Sequence, residues 1–280
     1  MSPDSSGLDW GRGAGTSVWY DSQAGSVQVR RMMPTSLFLP AMVAAVFASA
    51  QNPAPSRNNA PATLAEADRL YFHRHQGTNL KDCIAGLEAN LAQGPEQPAV
   101  LWRLGRSLVR LGERSSERKD KIASYTRAEA VLRRAVALAP RDADAHFWLG
   151  VALGRRGQAR GILRSLFLIG PLRREMRAVL DIDPKYGGAH HVLGEMLREI
   201  PAVVGGDKKG AVRELETAAA LEPDYAPHFT ALAEAYLDVG ERDKAKAALE
   251  HILAIKNPVD PGEYDENVQE ARDMLKKLMK

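Results

Sequence analysis

The chain has 280 residues, 45% of them hydrophobic, 6% aromatic and 26% charged, with a formal net charge of +3. So small a positive excess, with no long Lys/Arg tract, gives no electrostatic footprint for nucleic acid. The single cysteine, Cys83, excludes an internal disulfide framework and any zinc cluster of cysteine pairs, and reads as a small apolar residue of a helix.

Residues 1–31 are rich in Gly, Ser and Asp without sustained periodicity, and read as a disordered or overlong N-terminal extension. Then comes RRMMPTSLFLPAMVAAVFASAQ. Arg30 and Arg31 supply a positive start, Ser36 to Phe47 an apolar run, and Ala48-Ser49-Ala50 a small-residue cleavage site. Residues 32–50 are therefore expected to be a signal peptide, with Met32 or Met33 as candidate starts and Gln51 as the first mature residue. The apolar run is too short to span a membrane comfortably. The mature chain is expected to be periplasmic or secreted, with no integral membrane span. Residues 51–62, QNPAPSRNNAPA, are a Pro/Asn/Ala linker.

Residues 63–280 carry helical periodicity throughout. In TLAEADRLYFHRH, Leu64, Ala67, Leu70 and Tyr71 share one helical face, and a second helix follows in NLKDCIAGLEANLAQ. A Leu-Gly or Leu-Ala pair then recurs at Leu104-Gly105, Leu149-Gly150, Leu193-Gly194 and Leu232-Ala233, with Leu193 expected in the core. After each pair an apolar segment closes on Pro140, Pro184, Pro223 or Pro258. From Pro95 the intervals are 45, 44, 39 and 35 residues. Against a unit of about 34, the excess is expected as insertions between the two helices of a unit. Gly240 ends the first helix of the last unit. In YDENVQEARDMLKKLMK, Val268, Ala271, Met274 and Leu275 form one apolar side, which suits a terminal helix.

These repeats resemble the tetratricopeptide repeat family. Phe229, Leu232, Ala233, Tyr236, Gly240, Ala245, Leu249 and Pro258 match its pattern, as do Ala128, Leu132, Ala135 and Pro140, and Ala211, Leu215, Ala218 and Pro223. The resemblance implies an all-α solenoid of about five antiparallel helix pairs plus a C-terminal helix over residues 63–280. The run IPAVVGGDKKGAVRELETAAALEPDY is more weakly similar to the T component of TRAP-type transporters; regulator-of-microtubule-dynamics proteins share a related repeat style and rank below.

Two stretches carry alternative readings. Arg155 to Arg177 contains seven arginines around an apolar run, and reads either as a basic amphipathic element for an anionic membrane or acidic partner, or as a long second helix with buried leucines. Asp207, after Gly205-Gly206, is expected to cap the next helix. No HExxH, P-loop, GxSxG or CxxCH motif occurs. His73 and His75, and the adjacent His190 and His191, are poorly spaced for chelation, while Asp142, Asp144, Asp181 and Asp183 read as turn and cap residues. No catalytic site, metal or cofactor is expected.

What remains is the concave surface that the family resemblance implies. Alignment of the units places Trp102, Arg106, Arg110, Phe147, Val151, Arg155, His191, Glu195, Arg198, Thr230 and Glu234 along it. The partner-binding set is taken as Trp102, Arg106, Arg110, Phe147, Arg155, His191, Glu195 and Arg198, because arginine clamps carboxylates and aromatics supply buried area. Two functions follow: a scaffold for an acidic protein or peptide in an open groove, or a transport accessory holding a small or apolar molecule in a closed cavity. An enzyme would need titratable groups converging in a pocket.

Overall fold

The computed structural model describes residues 18–21, 26–29 and 62–278. The expected signal peptide, its cleavage point and all of the linker but Ala62 lie outside the described residues. The chain divides into two units, residues 1–53 and 54–280. In the first, β1 (Val18–Asp21) pairs antiparallel with β2 (Ser26–Val29), with Val18 opposite Val29 and Asp21 opposite Ser26. This differs from the expectation of a stretch without regular structure. Its valines, Trp19 and Tyr20 are residues that favour a pleated strand, concentrated in two four-residue runs.

The second unit contains eleven α-helices among the described residues: α1 (Leu64–Phe72), α2 (Asn79–Gln93), α3 (Pro98–Arg114), α4 (Arg118–Leu138), α5 (Ala143–Arg160), α6 (Ile162–Ile182), α7 (Gly187–Glu199), α8 (Lys208–Leu221), α9 (Ala226–Asp238), α10 (Arg242–Ala254) and α11 (Pro261–Leu278). They form five consecutive hairpins and a terminal helix, as the repeats imply. Caps explain several boundaries. Thr63 accepts the Glu66 amide at 3.2 Å and Asp142 accepts that of Ala145 at 3.1 Å. Asp183 accepts the Lys185 amide at 2.9 Å; Asp207 takes the N-cap position of α8 as expected, but its side chain makes no capping hydrogen bond. Gly240, at φ +83°, lets the chain leave α9 in the left-handed region.

The Leu-Gly repeat has a packing cause. A methyl added at Gly105 would lie 2.3 Å from Leu132, one at Gly150 2.3 Å from Met176, and one at Gly194 2.6 Å from Leu215. Each first helix thus meets its second helix through a bare Cα. Ala233 fills the equivalent place in the last hairpin and is fully buried. Leu104, Leu149 and Leu232 are buried beside these contacts; Leu193 is only partly so, which corrects its reading as a core residue. Its side chain lies at the margin of a cluster centred on Met176, Val179, Ala189 and Met196. Burial of Cys83, as expected of a small apolar residue, pushes its thiol up.

The insertions take another form than expected. Only residues 115–117 separate α3 from α4, and only Gly161 separates α5 from α6. The excess is absorbed as extra helical turns, which run through Gly112 of α3, Gly154 and Gly157 of α5 and Gly170-Pro171 of α6. The third insertion alone is a loop, with a 3-10 turn at Ala202–Val204. The arginine-rich segment is accordingly the long helical reading: Leu172, Met176 and Val179 of α6 face inward, and Arg156 pairs with Glu129.

Unit boundaries are fastened by imidazoles. His146 faces the Pro140 carbonyl at 3.1 Å and Glu175 at 2.7 Å; His190 faces the Pro184 carbonyl at 3.3 Å and Glu214 at 2.7 Å. In the last hairpin His251, from the second helix, donates to the Pro223 carbonyl at 2.8 Å while stacking on Phe229.

Candidate functional site: a cavity inside the closed solenoid

The first helices of the hairpins line a cavity of about 640 Å³. Its apolar part comes from Trp102 on α3, Phe147, Trp148 and Val151 on α5, Leu168, Ile169 and Leu172 on α6, and Val192 and Met196 on α7. Phe147 is held at 4.9 Å from Tyr186 and 5.3 Å from Trp148, with Gly188 leaving the space beneath its ring. Val259, Asp260 and Glu263, at the entry to α11, form part of the wall.

The charged part is neutralised from within. Asp68 takes Arg103 at 2.8 Å and Arg106 at 2.8 Å; burial works against its charge, yet the two guanidiniums hold its carboxyl below the usual range. Arg106 lies 3.6 Å over the Tyr71 ring and Arg103 4.1 Å over Trp102. Glu113 joins Arg110 and Arg155, each at 2.9 Å. Burial opposes the charge of Arg110, but Tyr71, Glu113 and Glu263 raise its pKa well above the ordinary value.

The expected set is therefore partly assembled. Trp102, Arg106, Arg110, Phe147, Arg155, His191 and Glu195 share the cavity, with Val151. Arg198 does not: it lies between Glu195 and Glu199 of the lining but pairs with Glu234 of α9 at 2.7 Å. Thr230 is buried in α9. The cationic groove expected from the aligned arginines is absent, since Asp68, Glu113, Glu195, Glu199, Asp260 and Glu263 set six carboxylates against the five arginines of the lining. Glu195 was in the assigned set and Glu113 lies three residues from Arg110, whereas Asp260 and Glu263 come from the α11 entry, which alignment of the first helices could not find. Trp148 was missed for a simpler reason: it adjoins Phe147, and only one of two neighbours was assigned to the concave face.

Beside the cavity, His191 Nδ1 lies 3.1 Å from His228 Nδ1, so one ring donates and the other accepts. His228 Nε2 reaches Glu222 at 3.0 Å, and His191 Nε2 lies 3.6 Å from Glu195. Burial lowers His191 to about 4, with Glu195 opposing and His228 and Arg155 adding to the shift. The folded state holds this ring neutral, while the unfolded chain takes up a proton near pH 6.5. Stability is thus expected to be complete above that pH and to fall as pH drops from about 6.5 towards 4, by roughly 2–3 kcal/mol from this group. Thermal melts at pH 7 and pH 4.5 should differ less in His191→Gln than in the unaltered protein; an equal difference would contradict the assignment.

Among the described residues no three His, Cys, Asp or Glu side chains converge as metal ligands, and no helix is long and apolar enough to cross a membrane.

Among solved structures, a thermophilic TPR protein of Thermus thermophilus matches 77% of this chain and 96% of its own, at 22% identity and a TM-score of 0.58. The chain has the tetratricopeptide-repeat fold. MamA 41-end from Desulfovibrio magneticus RS-1 also matches, over 70% of this chain and 95% of its own, at 18% identity and a TM-score of 0.43. The family model Regulator of microtubule dynamics protein 1-3 matches residues 63–200 of this tetratricopeptide-repeat chain, which run from α1 to the end of α7. No curated protein matches it in sequence. The comparisons lend no support to the likeness to the T component of TRAP-type transporters, and the matched family is the one that the sequence reading ranked below it.

Proposed function

We propose that the protein is a non-catalytic scaffold that holds a segment of a partner protein in the concave cavity, and that it works in the periplasm or after secretion. The tetratricopeptide-repeat fold suits protein interaction, and the residue pattern of 32–50 supports export. The observation that carries the cavity reading is the contrast within its lining. The arginines are engaged by the protein's own carboxylates, whereas Trp102, Phe147, Trp148, Val192 and Met196 face the cavity as apolar surface. Aromatic side chains in a desolvated pocket are where binding energy concentrates. The partner therefore contributes apolar side chains to the cavity, and acidic character plays no part while the internal ion pairs are intact.

The cavity volume also favours a second reading. At about 640 Å³ it lies within the roughly 300–1,000 Å³ typical of small-molecule sites. A small apolar molecule would fill it as well as a few side chains would, and the transport-accessory role requires such a ligand.

One experiment separates the two. The protein is recovered from its native host and the captured material compared for the unaltered chain, Trp148→Ala and Phe147→Ala at low and high salt. The scaffold reading expects a protein partner that is lost in both variants and retained across salt. A co-purifying small molecule, seen as added mass under native conditions and lost in Trp148→Ala, would favour the second reading. A partner retained by both variants would overturn the cavity as the site.

A further inference from the structure

The two ends of the solenoid are joined by charge. Arg74, which follows α1, is only 2% exposed, yet it meets both Asp260 and Glu263 of the α11 entry, the latter at 3.0 Å. Glu263 also reaches Arg110 of α3 at 2.7 Å. The rest of α11 belongs to the last hairpin: Ala271 is buried there, and the Tyr264 hydroxyl donates to the carbonyls of Ile252 and Ile255 at 2.9 and 2.8 Å. The segment from Val259 to Glu263 thus reaches from one end of the superhelix to the other and closes one side of the cavity.

Two buried guanidiniums that receive two carboxylates make a recognition site, because the fork of arginine donors matches carboxylate geometry and cannot lose its proton. Here the carboxylates belong to the same chain. When they leave, the lining changes from five arginines against six carboxylates to five against four. The opened cavity prefers an acidic ligand; the closed one does not.

We propose that Arg74 and Arg110 form a carboxylate-binding site occupied in cis by Asp260 and Glu263, and that an acidic segment of the partner, with two carboxylates three residues apart, takes their place and opens the cavity. This rests on the reading of the cavity as a partner site and gives that site its gate. The clasp acts as competitive closure. If it is shut at least 99% of the time, about a hundredfold or greater loss of apparent affinity follows for anything that needs it open.

The test uses the full chain and a fluorescein-labelled peptide of residues 258–269, PVDPGEYDENVQ, which carries both carboxylates. The clasp predicts that the double variant Asp260→Asn, Glu263→Gln binds this peptide about a hundredfold or more tightly than the unaltered chain does. It also predicts that added salt weakens the binding, and that a control peptide with Asn and Gln at the two positions does not bind. Equal binding by the two proteins, or equal binding of the control peptide, would overturn it. Should the double variant fail to fold by circular dichroism, Asp260→Asn alone leaves Glu263 on both arginines. A smaller gain in that variant supports the clasp and no gain overturns it. Trp148→Ala in the opened background separates the two claims. Absent peptide binding together with partner capture that still depends on Trp148 would remove the clasp and leave the cavity. Peptide binding with partner capture indifferent to Trp148 would do the reverse.

Discussion

Replacing Arg74 with methionine is expected to lower stability by about 3–5 kcal/mol, because it leaves Asp260 without a counter-charge and Glu263 with Arg110 alone in a largely buried site. Asp260 is 14% exposed and Glu263 25% exposed in their side chains, so neither can be fully rehydrated without the α11 entry moving away. For a domain of this size that corresponds to a fall in melting temperature of about 6–20 °C. The Arg74 guanidinium also donates to the Tyr71 carbonyl at 3.3 Å, which adds to the loss. Asp260→Asn should cost much less, since Glu263 remains on Arg74. Small-angle scattering should show Arg74→Met as the more extended particle. A variant with unchanged melting temperature and unchanged dimensions would show that the ends are held by something other than these ion pairs.

The second large effect belongs to Leu215 of α8. It is fully buried, it covers Gly194 of α7, and it packs with Ala219, Ala226 and Leu232. Leu215→Ala is expected to cost about 2–5 kcal/mol, the usual range for a leucine removed from a core that relaxes only in part. In an open solenoid the damage would stay with nearest neighbours. Here hydrogen exchange should quicken in α7, α8 and α9 and also in the Arg74 turn, because loosening the fourth and fifth hairpins shifts α11 and its carboxylates. Faster exchange in α7 to α9 alone would argue that the two ends are energetically independent.

The hairpins and their number were legible because their cause is local. A small residue where two helices cross, a large apolar one opposite it and a proline at the unit boundary recur from the second hairpin on, and the contacts made at the crossing are with the adjoining helix. The concave placement of Trp102, Phe147 and His191 was legible for the same reason, since equivalent positions of stacked units line one surface. What could not be read is whatever depends on how far the superhelix turns. Arg74 and Asp260 are 186 positions apart, and nothing in either neighbourhood marks the other. Asp68 claims Arg106 from 38 positions away, but from the adjoining hairpin, whose first helix was not assigned to the concave face. The arginines were found as a row, but they are neutralised partly by Asp68 and Glu113 of neighbouring helices and partly by Asp260 and Glu263 from the far end of the repeat array. The insertions were misplaced by a different failure: a surplus of residues in a repeat says that something is longer but not that it is helix, and Gly170-Pro171, which α6 carries in its interior, even argued for a break there.

The central claim is that a partner lies inside the ring, against the aromatic wall, and not on its outer face. Site-specific photo-crosslinking tests this most directly. A benzophenone side chain is placed at Phe147, inside the cavity, or at Leu138, which is 52% exposed at the end of α4. After irradiation in the native host, cross-linked partner is predicted from position 147 and absent from position 138. Cross-linking from position 138 with none from 147 would contradict the account.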